Sequence, residues 1–353
     1  MDIIFNPSVN KENKYIENMV RPLKDHGLRV HPLDDFFSSW KHFYSIRLVH
    51  LNWFENLDDT SIFRALASFF KKTVVLITIK ISGKKLVWTM HNRISHEKKT
   101  SFLSNLIRHF VILWSHRIII HCEISRTLLL EKYPDISPKI FRLPHPEFIG
   151  TYGPIAIHEP DMVSNPLVLL FMGAIKPYKN IELLIKAVSP FKEKVKLIIA
   201  GNPNSDSYRN KIMEMASPAG NVDWRLKFIP DHEIPFLIQE SDVLILPYDL
   251  ISSLNSGTAI LAFSYKKTVI CPEIGTIEDL GSMKKYVFHY NYKSEKEHLY
   301  LLSQQIEAAL RIKTSDPNGL PSMGTIMYDH VNQCHHKDLV GRNLINLYQS
   351  LLN

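Results

Sequence analysis

The chain has 353 residues, 45% apolar and 22% charged, with 42 Lys and Arg against 35 Asp and Glu and a net charge of +7. That length exceeds one ordinary core and predicts two domains, and the composition excludes disordered, collagen-like and disulfide-scaffold classes. Apolar runs such as residues 74–79, 243–246 and 118–120 fall far short of the ~20 residues of a membrane-spanning helix.

The opening stretch MDIIFNPSVN has no basic segment followed by an apolar one, so no secretory leader is expected. Three widely spaced cysteines, Cys122, Cys271 and Cys334, suit a reducing compartment, and a cytoplasmic protein is expected. Charge is unevenly placed: residues 1–150 hold 22 Lys and Arg against 14 Asp and Glu, the remainder 20 against 21. No nucleic-acid-binding motif accompanies the basic half. The partner it predicts is an anionic membrane surface or a phosphorylated or lipid diphosphate substrate, with no nucleic acid.

In chain order, residues 3–5 read as a strand, 15–23 as a helix ending near Gly27, and 28–33 as a second strand. No G-x-G-x-x-G follows the first strand, which argues against a dinucleotide site there. The cluster Phe36, Phe37, Trp40, Phe43 and Tyr44 fits either a buried helix face or a patch resting on lipid headgroups. A strand at 45–51 ends in HLNWFEN, and residues 62–81 are expected to be helical, with the β-branched run 73–79 leaving a strand open. Further expectations are a strand at 86–89, a helix at 107–113, a strand at 117–121, a helix at 125–132 capped by Ser125, and a strand at 140–143.

Residues 144–166, rich in proline, glycine and polar residues, read as the linker, giving domains of 1–150 and 167–336 joined through 151–166. The second domain alternates strands at 168–172, 195–200, 226–229, 243–246 and 268–271 with helices at 181–188, 207–215, 234–240 and 257–264, and a terminal helix at 337–352 can pack on either lobe. The fold class is therefore α/β: two Rossmann-like, doubly wound parallel sheets facing a cleft.

Chemistry concentrates after particular strands. The loop GAIKPYKN, residues 173–180, follows a strand and opens a helix, which places Gly173, Lys176 and Lys179 for an anion such as a diphosphate; two solvated surface lysines are the alternative. Asn255-Ser256-Gly257-Thr258 opens another helix and can offer backbone N–H groups and hydroxyls to the same phosphates, or Ser256 can simply cap the helix. In the first half, WTMHNRISHE delivers His91, Asn92, His96 and Glu97 at the end of a strand; His91 and Glu97 are the candidate catalytic residues, and an ordinary polar loop is the alternative. Asn52 and Trp53 of HLNWFEN, with Asn92 and His96, are assigned to an acceptor, although Trp53 equally suits a core. No third ligand stands at metal-binding spacing, so no metal and no cofactor are expected.

The second half resembles that of GT-B glycosyltransferases of the group-1, family-4-like type. The resemblance rests on GAIKPYKN and on IQESDVLILPYDLISSLNSGTAILAFSYKKTVICPEIGTIEDL, residues 238–280. WTMHNRISHE looks like the family's T-x-H-N-x-x-x-H-E turn. The resemblance implies a UDP- or GDP-sugar donor, and a nucleobase beside Phe228, Ile229 and Pro230, with Glu278 near the ribose. It also implies that Lys176, Lys179 and the helix beginning at Gly257 neutralise the leaving diphosphate. Where many members carry two glutamates, Ser253 and Leu261 stand here, which weakens the usual contacts to sugar and ribose. The expected activity is transfer of a sugar to a glycan or lipid-linked acceptor in cell-surface polysaccharide synthesis, by a cytoplasmic enzyme peripheral to the membrane. The alternatives are an inactive nucleotide-sugar-binding partner subunit and a GT-B epimerase.

Overall fold

The computed structural model describes residues 1–10, 13–58, 60–93, 101–156, 166–216 and 220–353. The chain forms two compact units, Met1–Pro146 with Ser252–Asn255 and His335–Asn353, and Glu147–Ile251 with Ser256–Cys334. The first segment of the first unit thus ends at Pro146, and Glu147–Gly150, read from sequence as the end of the first domain, belong to the second unit. Phe148 lies in the second unit's core, and its N–H donates to Ser264 Oγ at 2.9 Å.

In the first unit the order is β1 (Asp2–Asn6), α1 (Tyr15–Asp25), β2 (Arg29–His31), α2 (Trp40–Ser45), β3 (Ile46–Asn52), α3 (Ile62–Ile81), β4 (Lys85–Met90), α4 (Ser101–Trp114), β5 (Arg117–Ile120), α5 (Glu123–Lys132) and β6 (Ile140–Arg142). The six strands form a parallel sheet in the order β2-β1-β3-β4-β5-β6, so the winding direction reverses between β1 and β3. Strand residues alternate between two cores because successive side chains face opposite ways. Ile3, Phe5, Leu48, Val87 and Ile119 meet Tyr15 and Met19 of α1 and Leu344 and Tyr348 of the C-terminal helix, Lys337–Leu352. Ile4, Val49, Leu51, Trp88 and Ile118 meet α3 and α4 on the other face. Gly341 lets the C-terminal helix approach α1 closely, since a Cβ there would stand 2.3 Å from Pro22 Cβ.

The second unit runs β7 (Leu167–Met172), α6 (Ile181–Val188), β8 (Val195–Ala200), α7 (Asp206–Ala216), β9 (Val222–Arg225), α8 (Ile234–Glu240), β10 (Val243–Ile245), α9 (Gly257–Ser264), β11 (Thr268–Pro272), α10 (Gly275–Glu278), β12 (Phe288–Tyr290), α11 (Glu295–Ser315) and α12 (Gly319–Cys334); the C-terminal helix is α13. Its sheet is also parallel, ordered β12-β11-β10-β7-β8-β9, and reverses between β7 and β10. Both faces are covered, which is why its central strands read as continuous apolar runs.

Some local expectations are corrected. The strand placed at 226–229 is β9, Val222–Arg225; it is an edge strand whose polar members are paired, Arg225 Nη2 lying 2.6 Å from Glu240 and 3.1 Å from Asp223. Apolar residues were the wrong marker for it. Ser125 is not a cap: α5 begins at Glu123 with Cys122 at the capping position, and Ser125 Oγ sits 3.2 Å from Cys122 Sγ. The second strand is only three residues long, because Pro32 contributes no N–H and a 3-10 turn follows at Leu33–Phe37. The β-branched run 73–79 is helical within α3.

Candidate active site

In the first unit the polar side chains gather at the carboxyl ends of the strands, beside the reversal between β1 and β3, where open α/β sheets bind ligands. His91 follows β4, Asn52 ends β3 and Asn6 ends β1. Asn52 Nδ2 donates to the Asn6 carbonyl at 3.2 Å, which turns Asn52 Oδ1 toward His91 Nε2 at 3.0 Å. An amide oxygen only accepts, so Nε2 carries the imidazole proton and Nδ1 the lone pair. Trp53, in the left-handed region at φ 49, stacks on this ring with centroids 3.9 Å apart. A bulky residue there is strained, and strain of this kind persists where surrounding contacts fix it.

Two residues not singled out from sequence complete the cluster. Tyr15, at the start of α1, meets the His91 ring edge-on at 5.1 Å and bonds His121 Nε2 at 3.0 Å. His121, just after β5, is held through Nδ1 by the Leu143 carbonyl at 2.7 Å. His50 of β3 bonds Thr89 Oγ1 at 2.7 Å and, through its other nitrogen, the Tyr348 hydroxyl. Burial holds these imidazoles neutral: His50 is pushed down to about 3 and His121 to about 4. His91 lies well below the ordinary value, through burial first and then its neighbouring imidazoles. His145, beyond β6, is lowered to about 3, again chiefly by burial.

Of the other first-unit residues, the Asn92 carbonyl accepts from Arg108 Nη2 at 3.1 Å. His96 and Glu97 lie outside the described residues. Asn255, grouped with the first unit, donates from Nδ2 to the His91 carbonyl at 3.3 Å, and its neighbour Leu254 is buried in the first unit's core.

In the second unit the loop after β7 and the start of α9 are brought to one place by Tyr248, which lies just beyond β10. Lys179 Nζ stands 4.5 Å over the Tyr248 ring, and the Tyr248 hydroxyl lies 3.2 Å from Ser256 Oγ. Asn180, in the left-handed region at φ 56, donates from Nδ2 to the Pro247 carbonyl at 2.8 Å and so ties the β7 loop to the β10 loop. Lys176 is exposed, and Gly173 has a φ of 143. Ser256 does cap α9, accepting from Ala259 N at 3.0 Å. Its hydroxyl is thereby committed, and the first-turn N–H groups of Gly257 and Thr258, which a helix leaves without internal acceptors, are what the turn offers an anion.

Phe228, Ile229 and Pro230 follow the edge strand β9, Phe228 being 60% exposed. Glu278 accepts from Lys284 Nζ at 2.9 Å, in a cluster where Lys284 and His289 also hold Glu273. Leu261, standing where a family glutamate is expected, is buried in the second unit's core. Among the described residues no three His, Cys, Asp or Glu side chains converge as a metal ion requires.

Residues 157–302 match the family model described as Glycosyl transferases group 1. No curated protein matches the chain in sequence. Among solved structures, HepE of Anabaena in complex with UDP and glucose superposes with a TM-score of 0.71 at 14% identity, covering 99% of this chain and 100% of that one. Sucrose-phosphate synthase of Thermosynechococcus elongatus gives 0.74 at 13% identity over 100% and 99%. A glycosyltransferase of Rickettsia africae gives 0.67 at 16% over 100% and 98%. At these identities the likeness is one of fold, and the fold is GT-B.

Proposed function

We propose that this chain, which carries a group 1 glycosyltransferase domain on a GT-B fold, moves a sugar from a UDP-sugar to a hydroxyl of a glycan or lipid-linked acceptor. The bond from the anomeric carbon to the diphosphate oxygen breaks and UDP leaves with the electron pair. The acceptor oxygen bonds to that carbon as it loses its proton.

One observation carries the reading: within the matched domain, Lys179, Tyr248 and Ser256 form a connected group beside the sheet reversal. With Lys176 and the N–H groups of Gly257 and Thr258 this supplies two cations and a helix N-terminus for a diphosphate, without a metal. UDP is preferred to GDP because the Anabaena neighbour is described with UDP and glucose. In the first unit, His91 offers Nδ1 to a sugar or acceptor hydroxyl. Neutral imidazole is the form available at pH 7, so its role is a hydrogen bond more than proton storage. Asn52 is then a positioning residue, which replaces its assignment to the acceptor. The basic first unit supports an acceptor at the cytoplasmic membrane face, in cell-surface polysaccharide synthesis.

The buried Leu261 favours one second reading, a nucleotide-sugar-binding partner subunit without turnover. Two variants separate the readings. Lys179→Ala is expected to weaken UDP binding roughly tenfold or more through loss of a charge-assisted contact. His91→Ala is expected to leave UDP affinity unchanged and lower turnover about a hundredfold. UDP binding with no sugar transfer in the parent protein supports the partner subunit.

A further inference from the structure

Helix α3 buries one face and leaves a second apolar face in solvent. Its buried residues are Ala65, Val75, Leu76 and Ile79. At ~100° per residue, Phe63, Leu66, Phe70, Val74, Ile77 and Ile81 fall within about 80° of one another on the opposite side. All six are exposed, Phe63 by 80%, Phe70 by 64% and Ile81 by 79%. A contiguous apolar face of this kind on a soluble unit marks a surface that another phase or molecule covers.

The charges around it indicate which. On the same wheel Arg64 and Lys71 project roughly 100–120° to one side of the stripe's centre and Lys80 about 80° to the other, and all three are exposed. Lys72 points inward instead, its ammonium donating to the Phe54 carbonyl at 2.9 Å. Across α2, α3 and α4 there is no Asp or Glu. The stripe continues at one margin: Lys71 Nζ lies 3.7 Å from Asp34 in the turn that carries Phe37, and beyond it Phe37, Trp40 and Tyr44 are 56%, 78% and 73% exposed. Tryptophan and tyrosine are the side chains that settle at a membrane–water boundary. No helix among the described residues is long and apolar enough to cross a membrane.

We propose that α3 lies in the plane of an anionic bilayer surface, its apolar stripe among the acyl chains, Arg64, Lys71 and Lys80 reaching headgroup phosphates on both flanks, and Trp40 and Tyr44 at the boundary. A second copy of the chain is the weaker occupant. A two-fold contact places the same patch against itself, and here that sets Arg64, Lys71 and Lys80 against their own copies with only Asp34 of the neighbouring turn to offset them. The inference deepens the membrane placement in the proposed function, but it rests on α3 and not on the donor site.

Flotation of the full chain with phosphatidylglycerol–phosphatidylcholine vesicles tests it, with UDP affinity as a check that each variant is folded. The parent protein is expected to float with these vesicles, less so at raised salt, and not with phosphatidylcholine alone. Phe63→Ser with Phe70→Ser is expected to lower partitioning roughly tenfold or more, and Lys80→Glu roughly fivefold or more; both variants should bind UDP as the parent does. Equal flotation on neutral vesicles, or undiminished flotation of the Phe63→Ser/Phe70→Ser protein, overturns the proposal. So does a parent protein that dimerises through this face, with the dimer lost in that variant and no flotation in either. Failure of UDP binding in the parent with vesicle binding intact rejects the donor assignment and leaves α3's role standing.

Discussion

Acidification from pH 7 to pH 5 is expected to remove about 4 kcal/mol from the stability of the first unit through His50 and His121, a large part of the margin of many domains. His50, His91 and His121 are 0%, 8% and 6% exposed, and each is held neutral below the ordinary imidazole value of 6.5. In the unfolded chain these groups take up protons as the pH falls through 6.5; in the folded unit His121 does so only near 4, His50 near 3 and His91 well below 6.5. The unfolded state therefore binds more protons in this window, and stability present above pH 6.5 is lost progressively on the way down. His50 and His121 each contribute about 2 kcal/mol by pH 5, an average of roughly 2 kcal/mol per pH unit for the pair, and His91 adds in the same direction. Their closeness adds to the effect, with the His91 and His121 ring centroids 5.5 Å apart, because charging one raises the cost of charging the next. Urea unfolding of the first unit at a series of pH values reads this directly, and a flat stability between pH 7 and 5 would show that the imidazoles are solvated.

Gly201→Ala is expected to displace the loop after β7, which is proposed to hold the donor diphosphate. Gly201 follows β8 at φ 145, a conformation that side-chain-bearing residues rarely adopt, and a Cβ there would stand 1.8 Å from the Gly173 carbonyl oxygen. The obstacle is backbone, so the loop after β7 must move. That loop is also anchored by Gly173 N–H to the Ala200 carbonyl at 3.0 Å and by Ile175 N–H to the Asn202 carbonyl at 3.1 Å. The substitution should cost roughly 3 kcal/mol of stability and reduce UDP affinity more than Lys179→Ala does. A Gly201→Ala protein with parental melting and UDP affinity would mean that the loop's position is unimportant to the donor.

The periodic elements were legible because burial on two faces writes itself into the sequence. Helices α6, α8, α9 and α13 occupy the residues that spacing assigns them, and so does β8. The edge strand β9 was not legible, since Asp223 and Arg225 make it polar and ion pairs replace apolar burial. Helix α11 has a signal in the chain: Ser294 and Glu297 stand at capping-box spacing, with Glu297 N–H donating to Ser294 Oγ and the N–H of the preceding Lys293 to Glu297 Oε2. Helix α12 hides behind Gly319, Pro321 and Gly324, the last allowing the Lys266 carbonyl to come close.

At the site, His91, Asn52 and Trp53 could be nominated by type and position, but their relation could not. Which nitrogen of His91 is protonated depends on Asn6, 85 residues away, and the ring on Trp53's face is an imidazole. Tyr15 and His121 carried no local motif at all. Tyr248, which joins Lys179 to Ser256, sits in a stretch that reads as the end of a strand. The aromatic cluster at 36–44 divides, with Phe36 buried and Phe37, Trp40 and Tyr44 in solvent.

The most direct test of the donor-site account is release of UDP when the purified protein is supplied with UDP-sugars, GDP-sugars serving as the comparison. UDP release is expected from at least one UDP-sugar, weakened by Lys179→Ala and accelerated by the matching acceptor. No release from any of these donors, together with no UDP binding at millimolar concentration, would contradict it.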